Sequence, residues 1–150
     1  MKKTILFISA LLLFTVSTYS QQKVIKTNNE WKKVLSSKEY DVLREKGTER
    51  PFSGIYNEYY EKGIYKCAGC NTSLFNSENK YNSHSGWPSF DRSIKGNVID
   101  KTDNSHGMER TEVICAICNG HLGHVFNDGP KTTGLRYCIN SVSLKFTPKK

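Results

Sequence analysis

The sequence predicts a mainly β protein: an antiparallel β domain with short N-terminal helices and a zinc-ribbon-like pair of cysteine knuckles. Three observations point there. After Pro51, short apolar and aromatic stretches alternate with Gly, Asn and Ser at close spacing. Before it, residues 28 to 46 carry apolar side chains at helical spacing. Four of the five cysteines form two C-x-x-C pairs, Cys67 with Cys70 and Cys115 with Cys118, the spacing of zinc knuckles.

The chain begins with Lys2 and Lys3, continues through an apolar run from Ile5 to Val16, and then passes Ser17, Thr18 and Ser20. That run fits a secretory signal peptide and is too short to span a bilayer comfortably. The expectation is a cleaved leader over residues 1–20, a single domain over 21–150, and a protein exported to the periplasm or secreted, with no stable membrane anchor. An uncleaved anchor is the alternative, and no stop-transfer pattern supports it. The remaining length is enough for one domain with its own core.

The formal charge is +8, and losing Lys2 and Lys3 lowers it to +6. Basic and acidic residues are mixed, and the only dense basic stretch is the tail at Lys145, Lys149 and Lys150. This argues against a nucleic-acid footprint. A monomer is expected.

Trp31, Val34 and Leu35 lie at helical spacing, as do Tyr40, Leu43 and Arg44. Asn28 or Asn29 can cap the first turn. The Ser36-Ser37 pair with Glu39 suggests a break and a new capping box, so two short helices are predicted, the second ended by Gly47. Trp31 is read as core.

The strand candidates are Gly54–Tyr56, Gly63–Lys66, Ser73–Phe75, Asn97–Ile99, Thr111–Ile114, His124–Phe126 and Tyr137–Phe146. In the last, Arg136, Cys138 and Asn140 share one face by alternation, whereas Val142, Leu144 and Phe146 continue with the same parity. Either a bulge shifts the register, or the face is polar at one end and core at the other.

Export favours disulfides, so the two pairs could close as two local bridges. Their short turns, Cys67-Ala-Gly-Cys70 and Cys115-Ala-Ile-Cys118, beside strand-like residues favour one zinc ion held by four thiolates. Cys115, Cys118, His121 and His124 also recur at every third residue, which leaves a mixed ligand set as a rival.

Cys138 is then left without a structural partner. A cysteine reacts as its thiolate, and Arg136 and Asn140 on the same face could favour that charge; an inert buried thiol is the alternative. His121 and His124, three apart around Gly123, can aim at one point, and imidazole is the usual proton donor near neutral pH; two ordinary loop histidines are the alternative. Trp87, held in Gly86-Trp87-Pro88, could grip a methyl or sulfur-bearing group, or serve as a structural tryptophan.

Four stretches, Lys46–Phe52, Gly86–Phe90, His121–Phe126 and Gly134–Ser141, taken with the two C-x-x-C pairs, closely resemble the B-type methionine sulfoxide reductases, which act on the R epimer. The resemblance runs from about Trp31 to Phe146. It implies two antiparallel sheets packed at an angle with helices outside. It implies Cys138 as nucleophile, with His121 and His124 binding and protonating the sulfoxide oxygen. Asn140 and Arg136 match the polar residue and the arginine that flank the nucleophile, and Trp87 the indole that holds the substrate methyl. Cys67, Cys70, Cys115 and Cys118 match the ligands of a structural zinc.

Two positions depart from the pattern. Ser85 stands where many relatives carry a resolving cysteine, and His84 where glycine is usual. The implied activity is reduction of methionine-R-sulfoxide in oxidised proteins, leaving a sulfenic acid on Cys138. Its reductant would be an external thioredoxin-like dithiol. A zinc-knuckle binding module and a thiol peroxidase are the competing classes. A binder has no reason to combine Cys138, two histidines and Trp87, and a peroxidase would ignore sulfoxides.

Overall fold

A computed structural model describes residues 22–149; the leader expected over residues 1–20 lies outside the described residues. Two short helices come first, α1 (Asn28–Val34) and α2 (Ser37–Glu45). The first is capped by Thr27, not by Asn28 or Asn29. Its hydroxyl accepts the Glu30 N–H at 3.3 Å, and the Glu30 carboxylate accepts the Thr27 N–H at 2.7 Å. Ser36 and Glu39 form the expected second capping box. The left-handed residue that ends α2 is Lys46 (φ 62°), after which the Gly47 N–H donates to the Asp41 carbonyl at 3.0 Å.

The strands are β1 (Gly63–Cys67), β2 (Ser73–Asn76), β3 (Lys80–Tyr81), β4 (Ser89–Phe90), β5 (Val98–Asp103), β6 (Arg110–Cys115), β7 (His121–Phe126), β8 (Arg136–Ile139) and β9 (Leu144–Pro148). They form two sheets, β2-β1-β9 and β3-β4-β8-β7-β6-β5, and every pairing is antiparallel. The sheets share one aromatic core. Phe75 of β2 stacks on Phe90 of β4 with centroids 4.4 Å apart, and Tyr65 of β1 meets Phe90 edge-on at 5.1 Å. All three rings are fully buried. Trp31 and Leu43 of the helices close the same core.

Two of the expected strands change. Gly54–Tyr56 is a turn and not a strand: the Asn57 N–H returns to the Gly54 carbonyl, and the Tyr56 N–H is taken by the Ser141 hydroxyl. The stretch from Tyr137 to Phe146 is not one strand, bulged or two-faced. The chain leaves the large sheet after Ile139, makes a short 3₁₀ turn over Ser141–Ser143, and enters the small sheet at Leu144. The mismatch in alternation marks this change of sheet. The Glu49 carboxylate secures the turn by accepting the N–H groups of Ser141 at 2.5 Å and Val142 at 3.0 Å, which would otherwise be orphan donors.

Candidate active site

Cys138 lies in the middle of the large sheet, on β8 between β4 and β7. Its direct cross-strand partners are Ser89 on one side and His124 on the other. Directly opposed residues on neighbouring strands put their Cβ atoms about 4.5–5.5 Å apart on the same face. The sheet register therefore brings the thiol and one imidazole together.

His121 and His124 are three residues apart, and strict alternation would put them on opposite faces. A register shift in the β6–β7 pairing prevents this. His124 pairs with Glu112, yet His121 pairs with Ile114, two residues on, so one extra residue of β7 is accommodated between them. This bulge turns both rings to one side, with centroids 5.4 Å apart. Gly123 sits in the bulge because β8 passes too close for a side chain: a Cβ there would lie 2.1 Å from the Cys138 carbonyl oxygen.

A cavity of about 140 Å³ opens onto Cys138. Its walls are Thr48, Trp87, Arg110, His124, Phe126 and Asn140. Trp87 is half-buried and so is not a core tryptophan; that place belongs to Trp31. Its indole N–H donates to the Glu49 carbonyl at 3.2 Å. Gly86 at φ 91° turns the chain into it, packed where a Cβ would meet Pro51 and Phe52 at under 3 Å. The indole is thus a fixed wall.

His121 does not line this cavity. It faces an adjoining space of about 380 Å³ shared with Lys46, Asp103, Arg110, Glu112 and His124. Each imidazole carries a carboxylate partner: His121 Nδ1 lies 2.8 Å from Glu112, and His124 Nε2 lies 2.8 Å from Asp103. Burial pushes His121 below the ordinary histidine value, against the pull of Glu112. Burial also tends to raise Glu112, but Lys46 and His121 outweigh it and hold the carboxyl below its ordinary value. The pair at neutral pH is therefore a carboxylate and a neutral ring. Its Nδ1–H donates to Glu112, and its Nε2 is buried with no partner among the described residues. Asp103 is likewise held low, by Ser105 first and then by His124.

The two residues expected to support the Cys138 thiolate are largely occupied elsewhere. Arg136 grips Asp128 through two hydrogen bonds of 2.8 Å and lies over the Phe126 ring at 4.4 Å. Asn140 accepts the Glu49 N–H at 3.1 Å and donates to the Leu122 carbonyl at 3.1 Å. Burial pushes the Cys138 thiol above its ordinary value, and Ser85 and Arg136 only partly offset this. The thiol of the free protein is therefore not the readily ionised one that Arg136 alone suggested.

The other four cysteines stand apart from this cavity. Their sulfurs all lie within 4.8 Å of one another. The close approaches run between the pairs, Cys67 to Cys118 at 3.6 Å and Cys70 to Cys115 at 3.5 Å, and none is bridged. Four thiolates at about 2.3 Å from one zinc would have edges of about 3.8 Å, so this donor set fits a tetrahedral zinc and not two local disulfides. Neither histidine is among the clustered ligands. Each knuckle closes identically: the Asn71 N–H returns to the Cys67 carbonyl and the Asn119 N–H to the Cys115 carbonyl, both at 2.9 Å. Both asparagines are left-handed, at φ 61° and 56°, a conformation asparagine tolerates.

Residues 35–148 match the SelR domain family. A peptide methionine sulfoxide reductase MsrB of Leptospira interrogans is 58% identical over 125 residues, 83% of this chain and 95% of the relative. The chain belongs to the B-type methionine sulfoxide reductase family. A protein of the same name from Bradyrhizobium diazoefficiens is 56% identical over 131 residues, covering 87% of this chain and 94% of the relative. Another from Methanosarcina mazei is 54% identical over 134 residues, with 87% and 94% covered.

The site of this reductase also contains residues that sequence patterns passed over. Glu49 binds Trp87 and Asn140 through its backbone and caps the Ser141 turn with its carboxylate. Asp103, Arg110 and Glu112 surround the histidines. Glu112 had left a signal: a carboxylate at the parity of Ile114 in an apolar strand is expected to be buried with a partner.

Proposed function

We propose that Cys138 is the nucleophile and His124 the proton donor in reduction of methionine-R-sulfoxide in oxidised proteins. The enzyme class, peptide-methionine (R)-S-oxide reductase, follows from family membership. The observation that carries the assignment of roles is the direct opposition of His124 and Cys138 on adjacent strands, in the wall of one cavity that Trp87 closes.

The sulfur of a sulfoxide is a poor electrophile until its oxygen is protonated. His124, held by Asp103, supplies that proton while the Cys138 thiolate attacks. His121, neutral and paired with Glu112, offers an unprotonated Nε2 behind His124. The oxygen ends on Cys138 as a sulfenic acid, oxidised by two electrons, and the methionine sulfur is reduced by two. Trp87 would hold the substrate methyl against its face. Asn140 and Arg136 act by fixing the ends of β8, and Arg136 also lends positive charge.

Zinc held by Cys67, Cys70, Cys115 and Cys118 would be structural, since four thiolates leave no open position. With those sulfurs clustered and Ser85 beside Cys138, no second thiol lies in the Cys138 cavity. This supports regeneration by an external thioredoxin-like dithiol. The leader-like start supports action outside the cytoplasm, which mass analysis of the exported protein would test: a mature chain starting near Gln21 is expected.

Replacing Cys138 by Ser should abolish single-turnover reduction of a methionine-R-sulfoxide peptide. Retained turnover would remove Cys138 from the mechanism. After reaction without reductant, Cys138 should carry one added oxygen; an internal bridge to a knuckle cysteine would overturn the external route.

A further inference from the structure

A chain of three serine hydroxyls ends on the reactive sulfur. Ser89 Oγ, fully buried, donates to the Trp87 carbonyl at 3.2 Å. Ser83 Oγ lies 2.7 Å from Ser89 Oγ and 2.8 Å from Ser85 Oγ. Ser85 Oγ lies 3.7 Å from Cys138 Sγ. The left-handed residue between the first two links, His84 at φ 56° with its N–H bound to the Asn82 side chain at 2.8 Å, folds Ser83 and Ser85 onto each other. In an extended strand, hydroxyls two residues apart would stand too far apart to bond.

The proton count of this chain is fixed by its inner end. The Trp87 carbonyl can only accept, so Ser89 donates to it, and Ser83 must donate to Ser89. The Ser85 hydroxyl is the one member with a choice. When Cys138 is a thiol, its S–H points at Ser85 Oγ, and Ser85 donates on to Ser83. When Cys138 is a thiolate, rotation of one hydroxyl points the Ser85 O–H at the sulfur. Ser83 then loses one donor but still has the Ser85 backbone N–H at 3.4 Å. Ionisation costs one hydroxyl rotation and leaves no buried group orphaned.

We infer that Ser85 is a catalytic residue of this chain: its hydroxyl, held by Ser83 and Ser89, is the direct hydrogen-bond donor to the Cys138 thiolate. The inference rests on Cys138 being the nucleophile. It gives the serine at this position a role of its own, supplying a donor where burial otherwise disfavours the charged sulfur.

The test is the pH dependence of iodoacetamide alkylation at Cys138, read by peptide mass mapping on the metal-bound protein. Ser85→Ala should raise the alkylation midpoint by about one unit, giving roughly tenfold less thiolate below both midpoints. Ser85→Thr, which keeps the hydroxyl, should restore the wild-type midpoint. Sulfoxide reduction by Ser85→Ala should be slow at neutral pH and recover as pH rises. An unchanged midpoint in folded Ser85→Ala, or a midpoint that Thr fails to restore, overturns the role. Because alkylation is read without substrate, failure of the nucleophile assignment would show separately, as turnover retained by Cys138→Ser.

Discussion

His124 and Cys138 face each other across β7 and β8 because the two strands pair in one register, Gly123 with Ile139 and His124 with Cys138. A slip of one residue would turn the thiol to the opposite face of the sheet from its imidazole. Replacing His124 by Gln should therefore lower turnover by about a hundredfold or more, the usual scale for a positioned general acid. His121→Gln should cost less, because His121 stands behind the cavity wall. Epimer-resolved assay of both variants with a dithiol reductant checks this ordering, and equal losses would argue against His124 as sole donor.

Gly123 holds the bulge and the strand spacing at once. Gly123→Ala should destabilise the fold by about 2–3 kcal/mol, the upper range for overpacking, because the obstructing atom is the Cys138 backbone carbonyl and not a flexible side chain. Denaturant melts should show it, together with reduced activity from displacement of β8.

Acid should weaken the protein through the buried Glu112–His121 pair. Both groups have folded-state values below their ordinary ones. The unfolded chain therefore takes up protons first as pH falls, and each contribution is present above the unfolded value and lost through the folded one. Stability should decline as pH drops below about 6.5, where His121 of the unfolded chain takes up its proton, and further below about 4.5, where Glu112 of the unfolded chain does so. Thermal melts between pH 8 and 4 measure it, and Glu112→Gln should flatten the lower part of the slope.

Removing metal should unfold the protein rather than merely slow it. The knuckles hold the ends of β1 and β6 together and support the helices: Arg44 donates to the Cys118 carbonyl at 2.9 Å, and Gly120 lies against Leu43. The expected outcomes are one zinc per chain by elemental analysis and a large fall in melting temperature with a strong chelator. An unchanged melting temperature would end the structural role.

Much of the site was legible in the sequence because its chemistry requires particular residue types at short spacing. The paired cysteines, the unpaired Cys138, the two histidines and the Gly86-Trp87-Pro88 turn are all local signals. Glu49 and Asp103 were not, since nothing in a local pattern shows that a glutamate will cap a turn more than ninety residues away, or that an aspartate will hold a histidine on another strand; Ser85 was marked only as the place where relatives carry a cysteine. The strands β3 and β4 escaped notice because two residues are too few to show alternation.

The sequence by itself determined the β class, the two short helices and the knuckle pairs, which follow from spacing and side-chain type, and it singled out the candidate reactive groups. Only the tertiary structure decided that both histidines face one side, that His124 and not His121 walls the Cys138 cavity, and that the strand after Cys138 breaks into a second sheet. Those outcomes depend on register, on one bulge and on the close passage of β8 behind Gly123, and register is settled by contacts between strands far apart in the chain.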